Sequence, residues 1–371
     1  MSSSVEIQNS PWHVPILDAV RGLAALCVVA AHFGQQFLPL SELGMGKRAI
    51  EYLGGWAVSI FFVLSGFLIH SGAIKEMRRN AAVDWRKYAR RRFFRIFPAY
   101  LVALVASSIV GLSAHSNMIS VPTIRSTIEH FFLISTFSAA NWEGINAVLW
   151  TVIVECHFYL AYPLIFFSFA RFGPLRPTLA VVGFSCAAFF LLTAISHGET
   201  RVMLQHTSPV LWWKWCLGAL LAEMTAGRVL PRLTAYLRLS PLLPVFVVLS
   251  FAGIFIPGNT AALQFERFFM PVFAFLAVGA CVLSEHRRRS FGPMRWVGEI
   301  SYSIYLLHPL ALLAVVVLSW QFALAQLSLA VLLTFALAAA SYYAIERPFI
   351  RIGHRRRSSV IKPFGGETSL N

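Results

Sequence analysis

Apolar stretches of about 18 or more residues recur along nearly the whole chain, and they restrict its fold more than any other feature. A run of that length is typical of a membrane-spanning helix, because a hydrocarbon core about 30 Å thick needs about 20 residues of helix. With 57% hydrophobic and 13% charged residues, the chain has more apolar surface than a soluble core can hide. The sequence therefore predicts an all-α fold, a polytopic membrane helix bundle in contact with the lipid bilayer.

About ten transmembrane helices are predicted. They lie near residues 16–38, 53–73, 90–112, 146–169, 178–197, 208–226, 241–257, 264–284, 298–319 and 324–346. The apolar stretch 128–137 is too short to cross, so we expect it at the outer surface or re-entering between helices. Residues 1–15 have no basic segment before a short apolar core, which favours a cytoplasmic tail over a signal peptide. Residues 16–350 then form one transmembrane domain, and residues 351–371 a basic tail that we expect to be disordered.

The positions of the basic residues predict the orientation. Most of the 31 Lys and Arg residues fall in loops that share one side of these ten spans, as is typical of cytoplasmic loops. We therefore expect both termini in the cytoplasm and the protein in the inner membrane of a bacterium. A net charge of +15 can indicate nucleic-acid binding, but basic residues that cluster between apolar runs exclude that partner here.

The cysteines predict neither a disulfide framework nor a metal site. None belongs to a C-x-x-C motif, and each lies singly in an apolar segment, as a small buried side chain does. They are Cys27, Cys156, Cys186, Cys216 and Cys281. No metal ligand is therefore predicted.

Arg21 and His32 are the first ionisable side chains that the predicted spans contain. Eleven positions of helix between them make about three turns and about 16 Å, so both side chains share one helix face. Such groups are costly at membrane depth and often functional. The alternative is structural: Arg21 reaches the headgroups, and His32 is hydrogen-bonded inside the bundle.

Arg92 and Arg95 are three residues apart, hence on one face, at the cytoplasmic end of the third span. Neighbouring arginines suggest that they merely satisfy the positive-inside rule. However, no acidic residue is closer in sequence than Asp84. Two guanidinium groups facing the cytosol without an acidic partner suit a phosphorylated ligand.

Glu155 lies within the fourth span, where a carboxylate must be paired, hydrogen-bonded or protonated. Counted along the helices, His32 has a similar depth in the outer half of the membrane. An acid beside an imidazole is a general base with its orienting group. A structural hydrogen bond between helices is the alternative.

The ninth span carries a polar stripe of Ser301, Tyr305 and His308, at i, i+4 and i+7. A stripe of this kind often stabilises helix packing. Together with the arginines, it can instead line a slot for a long ligand.

Several motifs, in order from residue 16 to residue 348, resemble the acyltransferase-3 family of membrane-bound O-acyltransferases that modify bacterial surface carbohydrates. They are Arg21-x10-His32, FFVLSGFLI, Arg92-x-x-Arg95, Trp150 with Glu155, Phe158, Tyr159 and Pro163, ISYSIYLLHPL, and Glu346-Arg347-Pro348. Some members carry a fused periplasmic domain or an extra helix, and we expect neither here.

The resemblance implies an acyltransferase that moves an acyl group from cytoplasmic acyl-CoA to a hydroxyl of an extracytoplasmic carbohydrate or lipid-linked glycan. Acetyl-CoA is the expected co-substrate, succinyl-CoA is an alternative, and no tightly bound cofactor is expected. Exopolysaccharide and the O-antigen of lipopolysaccharide are candidate acceptors. His32 and Glu155 are then catalytic, and the residues expected to bind acyl-CoA or substrate are Arg21, Arg92, Arg95, Trp150, Tyr302, Ser303, Tyr305 and His308.

Two other classes of function stay open at this point. A transporter or flippase of lipid-linked sugar also uses buried charges, although the inverted repeat that transporters often contain is not evident. A structural or sensory protein uses such charges for packing alone. Within the enzyme hypothesis, Cys156 is an alternative nucleophile, but neighbouring residues on a helix do not face the same way, so it does not share the face of Glu155.

Overall fold

The computed structural model describes residues 15–38, 44–114, 116, 118–238, 242–256, 264–283, 292–318 and 323–355. Every named element in these ranges is helical. The α-helices are α1 (Pro15–Phe37), α2 (Met45–Asn80), α3 (Trp85–Gly111), α4 (Ile124–Phe131), α5 (Leu149–Phe172), α6 (Leu175–Ile195), α7 (Gly198–Gln205), α8 (Ser208–Thr225), α9 (Pro231–Leu237), α10 (Leu242–Ser250), α11 (Met270–Leu283), α12 (Gly292–Glu299), α13 (Ser301–Val317), α14 (Ala323–Ser341) and α15 (Arg347–His354). The prediction of an all-α membrane bundle is confirmed for this part of the chain.

Seven of the described helices are long and apolar enough to cross a membrane, and the number is nine if each of two bent helix pairs counts as one span. One of these pairs is α12 and α13, which meet at 72°. The sixth predicted span, 208–226, corresponds to α8, which contains Lys214 and Glu223 and is not among the seven. The count of ten and the cytoplasmic location of both termini therefore stay predictions, and the predicted tails lie largely outside the described residues.

The short apolar segment before α5 re-enters the bundle, which was one of its two predicted locations. The hydroxyl of Tyr100 donates to the carbonyl of His130 at 2.8 Å. Nε2 of His157 lies 2.8 Å from the carbonyl oxygen of Leu133. Since Tyr100 is eleven residues, or about 16 Å, before the end of α3, the segment reaches the middle of the bundle.

Two pairs of helices, α2 with α8 and α1 with α12, cross with their backbones in direct contact. A Cβ atom on Gly66 of α2 would overlap the carbonyl of Trp215 on α8, and one on Gly218 would overlap the carbonyl of Val63. The same close approach occurs between α1 and α12, where a Cβ atom on Gly22 would lie 2.9 Å from a backbone nitrogen. Small residues permit such backbone contact between membrane helices.

The two ends of the bundle differ in what they carry. At the end that we call the arginine end, the ammonium of Lys87 at the start of α3 binds Glu76 near the end of α2, at 2.8 Å. The guanidinium of Arg90 donates to the carbonyl of Ile352 in α15. The opposite end, the far end, contains the starts of α5 and α8. α3 begins at the arginine end and α5 at the far end, so the two helices run antiparallel. Side chains from both helices line the space between the two ends.

Candidate active site

A cavity of about 360 Å³ opens between α1, α2, α3, α5, α13 and α15. Its volume lies within the range of small-molecule binding sites. Four arginines line it, against a single carboxylate from Glu155. The lining charges are therefore strongly positive, as an anionic ligand requires.

Arg92 and Arg95 both line this cavity, in agreement with their predicted common face. Arg91, which the sequence did not single out, lines it as well. None of the three makes an ion pair within 4.0 Å in the described ranges. Nε of Arg91 and Nε of Arg92 are buried and have no hydrogen-bond partner there. Buried donors without a partner are costly, so their presence in a cavity indicates a ligand site.

Arg21 also lines the cavity, and its guanidinium is 3.7 Å from the carboxylate of Asp18. Behind the cavity wall, Glu346 is only 1% exposed and accepts a hydrogen bond of 3.1 Å from the hydroxyl of Ser303. The charges of Arg21 and Arg95 both act on this carboxylate. Glu346 thus offsets the mutual repulsion of two arginines that line the same cavity.

Glu155 does not contact His32 within the described residues. Its carboxylate instead accepts a hydrogen bond of 2.5 Å from the hydroxyl of Tyr159, one helical turn later. The guanidinium of Arg92 lies over the ring of Tyr159, at 5.9 Å from its centre. We expected Glu155 to orient the histidine, and the structure places it among the arginines because it faces the cavity below the histidine level.

Two tyrosines of the ninth predicted span line the cavity and bridge to other helices. The hydroxyl of Tyr302 donates to the carbonyl of Ile96 at 3.1 Å. The hydroxyl of Tyr305 lies 2.7 Å from that of Thr151 on α5. Tyr305 and Thr151 therefore mark the end of the cavity furthest from Arg92.

His308 follows Tyr305 by one turn of α13 and binds His32. Nδ1 of His308 faces the carbonyls of Tyr305, at 2.9 Å, and Ile304, at 3.2 Å. Because both are acceptors, Nδ1 must carry the proton, which leaves Nε2 of His308 as an acceptor. Nδ1 of His32, 2.8 Å away, then donates to it. Nε2 of His32 is consequently the basic nitrogen, and it has no partner in the part of the chain that the structure describes.

Trp150 and Cys156 lie outside the cavity lining. The indole of Trp150 packs against His206 at the far end, with ring centres 5.0 Å apart. Cys156 follows Glu155 directly on α5 and is turned away from the cavity, so the structure offers its thiol no place beside the ligand.

Sequence reasoning missed Arg91 and Glu346 as site residues for different reasons. Arg91 belongs to a run of basic residues, and adjacent arginines at a membrane boundary have an ordinary explanation. Glu346 lies near the end of an apolar stretch, where a charge is expected in the headgroups. Ser341, in the apolar stretch just before Glu346, was the available signal in the sequence; in the structure its hydroxyl lies 3.1 Å from that of Ser303, which binds Glu346.

Residues 14–344 match a protein family described as Acyltransferase domain, the acyltransferase-3 family. Among similar proteins, the peptidoglycan O-acetyltransferase OatA of Listeria monocytogenes is 26% identical over 92% of this chain and 56% of its own length. The O-acetyltransferase OatA of Staphylococcus aureus is 25% identical over 95% of this chain and 59% of its own length. The acyltransferase MdmB of Streptomyces mycarofaciens is 31% identical over 44% of this chain and 41% of its own length.

This chain spans less than two thirds of the length of these relatives. No solved structure matches it. The family match covers most of the chain, including every residue that lines the cavity from Arg21 to Tyr305. The resemblance seen in the sequence motifs is therefore confirmed, and the chain belongs to the acyltransferase-3 family of membrane proteins.

Proposed function

We propose that this protein is an O-acyltransferase that moves an acyl group from acyl-CoA, bound from the arginine end, to a hydroxyl of a glycan at the far end. One observation carries this proposal. A cavity lined by four arginines ends at Tyr305, and the next turn of the same helix holds the His32–His308 pair. The acyltransferase relatives support the reaction type.

The arginine end suits the donor. Acyl-CoA carries phosphates at one end of a long, thin pantetheine arm and a thioester at the other. Arg91, Arg92 and Arg95 offer unpaired guanidinium groups to the phosphates, and forked donors bind phosphate oxygens in pairs. Tyr302 and Tyr305 line the path of the arm. We assign Arg21, which also lines the cavity, to a phosphate or a pantetheine carbonyl.

His32 acts as the general base. Its Nε2 removes the proton from the acceptor hydroxyl as the oxygen attacks the thioester carbon. The carbon–sulfur bond then breaks, and the thiolate of CoA takes the proton from the imidazolium. The products are the glycan ester and free CoA. His308 keeps Nδ1 of His32 occupied, so the lone pair of Nε2 points away from the pair.

Acetyl is the acyl group that we propose, with an extracytoplasmic glycan as acceptor and the bacterial inner membrane as location. Both OatA relatives are named as O-acetyltransferases, and one of them as acting on peptidoglycan. A glycan that contains N-acetylhexosamine is therefore our first candidate for this chain. Exopolysaccharide and O-antigen units are the others.

The decisive experiment uses the purified chain in lipid nanodiscs with acetyl-CoA and an N-acetylglucosamine oligosaccharide. We expect release of the CoA thiol together with an acetyl mass on the sugar. His32→Ala should reduce turnover by about 10²- to 10⁴-fold, whereas His197→Ala, at an exposed position, should not. Wild-type protein that moves sugar across vesicles without consuming acetyl-CoA would instead support the flippase alternative.

A further inference from the structure

We propose that Trp142, Trp150 and His206 form the docking site for the sugar ring of the acceptor. This inference rests on the proposed function, because it names where the acceptor binds. The three rings lie at the far end, on the loop before α5, on the first turn of α5 and directly after α7. We call them the aromatic platform.

The three rings form one connected surface. Trp142 and His206 are stacked, with centres 5.0 Å apart and planes inclined by 22°. Trp150 meets His206 edge-on, also at 5.0 Å, and its centre is 6.0 Å from that of Trp142. All three side chains are only half-buried. Aromatic rings with an exposed face and a polar edge suit a pyranose ring, which has apolar C–H faces and a rim of hydroxyls.

The polar edges of the platform are open for hydrogen bonds. Nδ1 of His206 donates to the carbonyl of Val202 at 2.7 Å, so Nε2 carries the lone pair. In the described part of the chain, neither this Nε2 nor the indole Nε1 atoms of Trp142 and Trp150 have a protein partner. None of the three atoms is sealed from solvent. The platform thus offers two donors and one acceptor to a ligand.

Charged side chains border the platform. Lys214 and Arg267 are close enough to His206 for their charges to act on it. Lys214 also interacts electrostatically with Glu266. Burial, together with these two cations, lowers the pKa of His206 to about 4. The imidazole is therefore neutral near pH 7, as an acceptor of a sugar hydroxyl must be.

The platform and the end of the cavity furthest from Arg92 both involve the first turn of α5. Trp150 directly precedes Thr151, whose hydroxyl binds Tyr305 at the end of the cavity. Trp150 is nine residues before Tyr159, which is about 14 Å along α5 away from the arginine end. A sugar on the platform therefore approaches from the side opposite the donor.

The test compares Trp142→Ala and Trp142→Phe with a matched control, Trp296→Ala, each in the 371-residue chain in nanodiscs. Trp296 is also a partly exposed tryptophan, but it lies on α12 and packs on Phe335. The acceptor probe is chitotetraose, measured by saturation-transfer NMR for binding and by transfer kinetics for KM and kcat. Cleavage of acetyl-CoA without acceptor is measured separately. Trp142→Phe keeps an aromatic face and guards against loss of folding in the alanine variant.

We expect Trp142→Ala to raise the KM for chitotetraose about tenfold, with kcat and acceptor-free thioester cleavage unchanged. Trp142→Phe should have a smaller effect, and Trp296→Ala none. An unchanged KM and unchanged NMR contacts in Trp142→Ala would overturn the platform and leave the proposed function intact. Binding of acetyl-CoA that depends on Trp142 would also overturn it, by assigning the rings to the donor. If the wild type binds chitotetraose through Trp142 but transfers no acetyl group, the platform stands and the proposed function fails.

Discussion

Nδ1 of His32 lies 2.8 Å from Nε2 of His308, and this contact joins two helices whose residues are 276 positions apart in the chain. The carbonyls behind His308 fix the direction of the hydrogen bond. His308 is therefore a positioning residue: it holds the tautomer of His32 in which Nε2 is basic.

Replacement of His308 should lower kcat and leave the KM for acyl-CoA nearly unchanged. His308→Ala removes one hydrogen bond to His32, worth about 1–3 kcal/mol, and we expect turnover about 10- to 100-fold slower. His308→Gln places an amide oxygen near the lost acceptor and should recover part of the rate. Steady-state kinetics of the purified variants checks this. Equal rates for the glutamine and alanine variants would show that the acceptor at this position is not what matters.

Removal of the arginine fork should weaken donor binding. We expect Arg92→Ala or Arg95→Ala to make the binding free energy of acyl-CoA less favourable by about 1–3 kcal/mol per lost charge-assisted contact. Lysine should restore little, since it cannot form the planar fork. Isothermal titration of the solubilised protein measures this, with Arg86→Ala, exposed on the same helix, as control. An Arg92/Arg95 double alanine variant that binds acyl-CoA as tightly as the wild type would show that both arginines serve only the positive-inside rule.

Glu155 and Tyr159 should act as one unit, because the tyrosine hydroxyl donates to the carboxylate. Glu155→Gln and Tyr159→Phe should each alter the KM for acyl-CoA, and the double variant should be little worse than the stronger single one. The pH at which activity falls should stay as in the wild type, since no hydrogen bond joins Glu155 to His32 in the described ranges. A shift of that pH in Glu155→Gln would restore Glu155 as the group that orients His32.

Loss of the Glu346 charge should destabilise the ligand-free protein. In Glu346→Gln, Arg21 and Arg95 no longer face a buried carboxylate, and we expect a loss of about 1–3 kcal/mol. Saturating CoA should recover much of the Tm, because its phosphates supply the missing negative charge. Thermal melts in detergent with and without CoA test this. An equal Tm loss in both conditions would mean that Glu346 supports packing and not the cavity charges.

Cysteine labelling tests the orientation of the bundle. In a background without native cysteines, Met45→Cys and Glu199→Cys should react with an impermeant maleimide in intact spheroplasts. Asn80→Cys should react only after permeabilisation. All three positions are exposed. Reaction of Asn80→Cys in intact spheroplasts would contradict the predicted cytoplasmic location of the arginine end.

The helices were largely predictable, because apolar length is a local property of the chain. The first predicted span, 16–38, corresponds to Pro15–Phe37, and the fourth, 146–169, to Leu149–Phe172. The α8 helix shows the limit of this reasoning. Its 18 residues hold Lys214 and Glu223, and a helix that is enclosed by neighbours does not need the apolar surface of one that faces lipid.

The partners of the site residues were not predictable, because spacing along a helix fixes a face but not the helix that packs against it. Arg92 and Arg95 share their face, as predicted, since both belong to α3. The neighbour of His32 depends on how α1 and α13 meet, and depth alone favoured Glu155. For the same reason, the sequence did not reveal that Glu346 lies behind Arg21.

The crossing of α2 and α8 at Gly66 and Gly218 has a mechanical consequence. The two backbones are in direct contact, with no side chains between them. These helices therefore cannot tilt relative to one another without separating. Alternating-access carriers depend on rocking of that kind between bundle halves. Ser65, beside the crossing, lines the cavity and binds Tyr159, so the cavity wall is fixed to the same joint. Under the proposed function, the donor and the acceptor therefore move within a fixed cavity, and the length of the donor arm determines where its thioester lies.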